Sequence, residues 1–224
     1  MSGLTIQEIA SRLAAAGTPG RRASPEASPS SDFSPVYLPR GDHDLNPDFY
    51  DPAQTLIPAA VLVPIVERPA GLSLLLTRRT DHLDVHAGQI SFPGGRVEGD
   101  ESLEAAALRE TEEEVGLPRR HVRLIGMLDT YVTRTGFEVT PVVGAIRPPF
   151  PVTPDSFEVA EVFEVPLSFI LAPSSLQRHV RVFQGKERQF YAFPHGDYYI
   201  WGATAGMLVN LVQVLTASEA AADD

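Results

Sequence analysis

The chain has 224 residues, 43% of them hydrophobic, which is enough for one well-buried domain with at most a small appendage. It contains no cysteine, so disulfides, thiolate metal sites and cysteine nucleophiles are excluded, and any metal must be held by oxygen or histidine. A net charge of −11 argues against broad contact with a nucleic-acid backbone and leaves room for a small anionic ligand held by local arginines.

In chain order, the first element is a short amphipathic helix. Thr5 and Glu8 have capping-box spacing, and Ile6, Ile9, Ala10 and Leu13 recur at helical intervals. The stretch from Thr18 to Pro35 is rich in Pro, Ser and Ala and poor in apolar residues, which reads as a flexible linker. Residues 1–45 are therefore expected to be a helix plus linker ahead of a domain over 46–224, the helix packing on that domain or on a partner subunit. Strands are expected at Ile57 to Val66, Leu72 to Thr77, Val122 to Met127, Val139 to Ile146, Glu158 to Val165 and Arg178 to Phe183, all rich in branched apolar residues. A central helix runs from about residue 101 to 115, and a last one covers about Thr204 to Leu215 with Leu208, Leu211, Val212 and Leu215 on its apolar face. The longest apolar run, Leu56 to Ile65, is far short of the roughly 18 to 20 residues that span a bilayer, and no basic stretch leads into an apolar block at the start. A soluble cytoplasmic protein with no membrane partner is expected.

The central helix carries the chemistry. Asp100 or Ser102 can cap its start, Leu103, Ala106, Ala107 and Thr111 recur at helical spacing, and Gly116 followed by Pro118 is a stop signal. At about 100° per residue, Glu110, Glu113 and Glu114 fall within an arc of roughly 100°, while Glu112 points to nearly the opposite side, toward solvent. Like charges three and four residues apart repel by about 0.2–0.5 kcal/mol per pair, here at the helix end whose dipole is already negative. Divalent cations against this face relieve the strain, because Mg²⁺ and Mn²⁺ prefer hard oxygen ligands. Gly94 and Gly95, without side chains, let the backbone approach a metal or phosphate closely.

Gly95, Glu101, Arg109, Glu110, Thr111, Glu113, Glu114, Gly116 and Leu117 stand at the spacing of the Nudix hydrolase signature, which this chain closely resembles. Only Thr111 departs, a β-branched polar residue where an aliphatic one is usual. The resemblance implies an α/β fold, a Nudix-type α/β/α sandwich with a mixed β-sheet. It also implies Mg²⁺ or Mn²⁺ held by the Gly95 carbonyl, Glu110 and Glu114, with Glu113 as a further ligand or a base. Arg109 and Glu101 become the pair that fixes the loop and orients the glutamates, and a homodimer is an expectation of the same origin.

Just upstream, Leu75, Leu76, Thr77, Arg79, Leu83, His86, Gly88, Gln89, Phe92, Pro93, Gly94 and Gly95 resemble the coenzyme A pyrophosphatase branch of that family. Thr80 stands where Ser or Ala is usual, and Asp84 where the branch usually has Arg. Glu158 to Leu167 and Tyr198 to Ala205 look like downstream segments of the same branch. The implied activity is metal-dependent hydrolysis of the pyrophosphate of coenzyme A and its derivatives to 3′,5′-ADP and 4′-phosphopantetheine. Its alternatives are the same cleavage of ADP-ribose or dinucleotides, and a non-catalytic nucleotide-binding module. The expected partner is thus a small molecule and not a nucleic acid.

For substrate contact, Arg78, Arg79, His82 and His86 bring positive charge to the loop, and planar arginines suit phosphate oxygens. Arg79 reads as a phosphate ligand or a structural ion pair, the two histidines as structural or surface groups. Gly94 offers close backbone approach, and Phe92 reads as a ligand contact or as core. Glu158 and Glu161 read as a further ligand or base, or as solvated acids. Tyr198, Tyr199 and Trp201 can stack on adenine, although core packing before an apolar helix is the expectation.

Overall fold

The computed structural model describes residues 3–17, 22–23, 37–81, 88–183 and 185–217. His82, Leu83, Asp84 and His86 lie outside these residues, as does most of the expected linker; within it, Arg22–Ala23 pairs antiparallel with Tyr37–Leu38.

Helix α1 (Ile6–Ala15) starts at a complete capping box: the Thr5 hydroxyl accepts from the Glu8 amide, and the Glu8 carboxylate accepts the Thr5 N–H at 2.7 Å. Its Ile6, Ile9 and Leu13 are buried in the main core. Leu13 nests over Gly126, where an added Cβ would come within 2.9 Å of the leucine. Arg12 donates to the carbonyl of Leu215. The expected boundary near residue 45 is therefore crossed by contacts, and Arg40–Gly41 extends the main sheet as a two-residue strand.

Strands β1 (Ile57–Arg68) and β2 (Gly71–Arg79) form a hairpin that continues into the short strands β3 (Ile90–Ser91) and β4 (Gly94–Arg96). Helix α2 (Leu103–Val115) follows, then β5 (Val122–Met127), β6 (Tyr131–Val132), β7 (Phe137–Ile146), β8 (Val159–Pro166) and helix α3 (Leu167–Leu171). The sheet order is β8, β2, β1, β7, β6 and Arg40–Gly41, with β3 on β2, β4 on β1 and β5 on β7. The β1 and β7 pair is parallel, as is Arg40–Gly41 with β6, and the other pairs are antiparallel, so the sheet is mixed.

The period of two along β1 separates the layers. Ala59, Val63 and Ile65 face the core shared with α1, α3 and the C-terminal helix α4 (Ala203–Thr216), whereas Ala60 and Leu62 pack on Ala106 and Ala107 of α2. This is the expected α/β/α arrangement, with α2 on one face and, among the described residues, α1, α3 and α4 on the other.

A second, three-stranded sheet was not legible. Strands β9 (Gln177–Phe183), β10 (Lys186–His195) and β11 (Tyr198–Trp201) pair antiparallel in that order. Their charges and aromatics alternate without a continuous apolar run, which hides β10 and β11 from a reading of apolar periodicity. The expectation of core packing is corrected for two aromatics: Tyr199 and Trp201 are exposed. Tyr198 is half-buried and stacks on Phe163 with ring centroids 3.7 Å apart. Among the described residues no helix is long and apolar enough to cross a membrane.

Candidate active site

The acidic face of α2 is positioned by its two ends. Ser102 caps the start by accepting from the Ala105 amide, and Gly116 ends the helix in the left-handed region at φ 68°. An added Cβ on Gly116 would also lie 2.5 Å from the Thr153 carbonyl oxygen, so glycine is required there on two counts. Thr111, the departure from the signature, is fully buried, and its hydroxyl donates to the Ala107 carbonyl at 2.6 Å. That bond along its own helix satisfies the hydroxyl and lets a threonine fill an apolar position.

Pairing of β4 with β1 presents the two glycines to this face. Gly94 has φ 151° and backs onto the Ala60 carbonyl, and Gly95 lies against Glu110, whose carboxyl carbon would be 2.4 Å from an added Cβ. The Gly94 amide donates to Glu114 Oε2 at 3.2 Å. Thus the loop backbone and two of the three glutamates meet directly.

Arg109 organises the rest. Its guanidinium donates twice to Glu101, at 2.8 and 3.2 Å, to Glu110 at 2.9 Å, to Glu113 at 3.2 Å and to the Arg96 carbonyl at 3.0 Å. Glu101 in turn accepts the Glu98 amide, so the loop from 96 to 101 is tied to the helix. The Arg109 hydrogen bonds, then the Glu98 amide, hold the Glu101 carboxyl below the usual carboxylate range. Its carboxylate neighbours push the Arg109 pKa far above the ordinary guanidinium value. The crowding of Glu110 and Glu113 is therefore relieved in part by an arginine as well as by any cation. Glu112, on the far side, is not merely solvated; it pairs with Arg119 at 2.8 Å.

Glu110 and Glu114 differ from the outer acids because burial dominates. Desolvation raises the Glu110 carboxyl against the pull of Arg109, with Glu113 and Glu158 adding to the rise. For Glu114, 6% exposed, desolvation pushes the pKa to about 7 despite the Gly94 amide and Arg79. Arg79, the last residue of β2, approaches Glu114 at 3.5 Å and Glu158 at 3.4 Å. Linear spacing gives no signal for that contact across 35 positions; only the adjacency of β2 and α2 creates it.

The remaining expected residues separate. Arg78 pairs with Glu161 at 3.1 Å, and the Tyr198 hydroxyl donates to the same carboxylate at 2.7 Å, so Arg78 and Glu161 satisfy each other outside the glutamate cluster. Glu158 is the one of the two acids that joins it. Phe92, expected either as a ligand contact or as core, is 2% exposed and packs in the core, not at the surface of the site. A cavity of about 150 Å³ lined by Arg40, Asp42, Tyr131, Tyr191 and Gln213 includes none of these motif residues.

A divalent cation fits the donor set: hard oxygens from a glycine carbonyl and carboxylates one helical turn apart. Among the described residues no three acids or histidines are drawn together into a complete cage. Such a cation would complete its shell with water or substrate oxygens, as Mg²⁺ commonly does.

A model of the Nudix domain matches residues 56–181. A protein of Escherichia coli O7:K1 called uncharacterized Nudix hydrolase NudL is 45% identical over 159 residues, 68% of this chain and 80% of the relative. The protein of that name from Shigella boydii matches equally. The chain belongs to the Nudix hydrolase family.

Solved structures align over part of the chain. An Ap4A hydrolase binary complex from C. elegans has a TM-score of 0.44 and 22% identity, covering 49% of this chain and 80% of that one. A MutT protein from Methanosarcina mazei Go1 has a TM-score of 0.41 and 25% identity, covering 54% and 84%. Nudix hydrolases generally use divalent metals such as Mg²⁺ or Mn²⁺.

Proposed function

We propose that this Nudix hydrolase cleaves the pyrophosphate bond of coenzyme A and its derivatives, with Mg²⁺ or Mn²⁺, to 3′,5′-ADP and 4′-phosphopantetheine. The observation that carries the proposal is the contact between Arg79 and Glu114. It joins the upstream segment that resembles the coenzyme A branch to the Nudix helix and sets one guanidinium beside the buried acid, which supports a diphosphate site there.

In this reading the Gly95 carbonyl, Glu110, Glu113 and Glu114 hold the metal, which when bound neutralises diphosphate charge and acidifies water. Glu101 and Arg109 orient the glutamates by tying the loop to the helix. Arg79 binds phosphate oxygens, its planar guanidinium matching them better than an ammonium would. Glu113 and Glu158 have the more exposed side chains of the cluster, 60% and 43%, and one of them accepts the proton of the attacking water, Glu113 serving as a ligand where Glu158 is the base. Glu110, Glu113 and Glu114 are all present, which favours an enzyme over a nucleotide-binding module.

The test offers the purified protein coenzyme A, ADP-ribose and NADH with Mg²⁺ and follows the products by chromatography. Release of 3′,5′-ADP from coenzyme A at the highest kcat/KM is expected. Negligible coenzyme A turnover beside rapid ADP-ribose cleavage would transfer the assignment to ADP-ribose, and no turnover of any would leave a binding module.

A further inference from the structure

Two arginines stand opposite each other on the second sheet. Arg181 of β9 and Arg188 of β10 are direct cross-strand partners, so their side chains leave the same face. Like charges directly opposite one another destabilise a sheet. Lys186, two residues before Arg188, lies 3.9 Å from Asp48, but among the described residues neither arginine has an ion pair. An exposed arginine is commonly just solvated, so Arg181 alone says little. Arg188 says more. It is half-buried, its guanidinium carbon sits 4.0 Å from the centroid of the Phe49 ring, and its Nε is buried with no hydrogen-bond partner. In a chain with 29 acidic and only 18 basic residues, two cations are left side by side without a counter-charge among the described residues.

The next rows of that face are aromatic. His179 lies opposite Phe190, and the pairing of β10 with β11 brings Trp201 and Tyr199 to the same side. Their rings run on from one another: Trp201 to Phe190 at 5.5 Å, Phe190 to His179 at 5.6 Å and His179 to Tyr199 at 6.1 Å between centroids. Tyr199 and Trp201 are 43% and 37% exposed. The other face of the sheet is the inner one, since its Phe193 and Ile200 are buried in the main core with Leu208 of α4. Arginines and aromatics therefore share the outer face, in rows about 7 Å apart along the strands. A ribose sets a separation of that order between a phosphate and its base.

We infer that this outer face is a nucleotide-binding site, with Arg181 and Arg188 taking the phosphate and the exposed rings of Trp201 and Tyr199 taking the base. Paired planar guanidiniums match phosphate oxygens and supply the charge that the ligand needs. Aromatic side chains stack on any base, because every base has a π-face. The net charge of −11 opposes a long polyanion, so the ligand is a single nucleotide and not a strand. None of these residues belongs to the glutamate cluster, so the inference stands whichever substrate that cluster cleaves.

Trp201 is the single tryptophan of the chain, and its fluorescence reports on this face alone. The full chain is titrated in EDTA with adenosine 5′-monophosphate, following Trp201 emission with free tryptophan as the absorption control and calorimetry as a second readout. Saturable quenching is expected, with adenosine and ribose 5-phosphate each binding at least about tenfold more weakly because each keeps only part of the ligand. Arg181→Ala and Arg188→Ala are each expected to weaken the nucleotide about tenfold, and Glu114→Gln to leave it within about twofold. Arg181 is exposed, so its variant is expected to keep the wild-type Tm and decides the question even if Arg188→Ala, which also leaves Phe49, fails to fold. No saturable quenching, unchanged affinity in Arg181→Ala, equal binding of adenosine, or loss of binding in Glu114→Gln would each overturn the inference. A single-stranded oligonucleotide binding about 100-fold more tightly than the mononucleotide would overturn it too, and give the face to nucleic acid.

Discussion

Burial withdraws Glu114 from water and pushes its carboxyl from 4.5 to about 7, while the Gly94 amide and Arg79 pull the other way. A carboxyl raised in the fold keeps a proton that the unfolded chain gives up. Its contribution to stability is therefore full below about pH 4.5 and is lost as pH climbs through about 7. Without divalent ions, Glu114→Gln is expected to flatten this part of the pH profile and to stabilise the fold near pH 7.5 by up to about 3 kcal/mol. Urea denaturation at pH 5 and pH 7.5 checks it; parallel losses in variant and wild type would show that Glu114 is not the group responsible. The same variant should lose most hydrolysis, at least about 100-fold in kcat/KM, since an amide cannot supply the carboxylate charge. Gly95→Ala tests the loop side. The new Cβ must displace the Glu110 carboxyl that now lies against Gly95, and a misplacement of about 1 Å is expected to cost about 100-fold in kcat with far-UV circular dichroism unchanged.

Helix α2 shows how far local rules reach and where they stop. Its cap, its length, its left-handed terminator and the shared face of Glu110, Glu113 and Glu114 follow from spacing along the chain, because a helix repeats with a fixed period. Gly116→Ala therefore has a cost that can be stated: positive φ and collision with the Thr153 carbonyl should remove about 1–3 kcal/mol of stability, read from the urea midpoint. The family resemblance also paired Arg109 with Glu101, which lies just before the helix and accepts two of the guanidinium's hydrogen bonds. Spacing does not place Arg109 on Glu110 and Glu113 at once, since that depends on how the loop from 96 to 101 folds back. For the same reason α2 read alone overstated its own charge strain.

At the scale of the whole molecule, α1 is part of the main core. Leu13 is 3% exposed and covers Gly126 of β5, so Leu13→Ala is expected to cost about 2–5 kcal/mol, and removal of residues 1–17 more, with Tm as the measurement. A truncated chain that melts with the wild type would show that this helix contributes nothing to the fold. By itself, the sequence determined the family, the mixed-sheet class and the acidic helix, because the Nudix signature depends on residue types at short, fixed spacings. Tertiary structure alone decided that Arg79 reaches Glu114, that Glu158 joins the site while Arg78 and the Tyr198 hydroxyl hold Glu161 away, and that Phe92 is core. Each of those turns on which strands and helices become neighbours. Chain closure over tens of residues sets that adjacency, and no local periodicity encodes it.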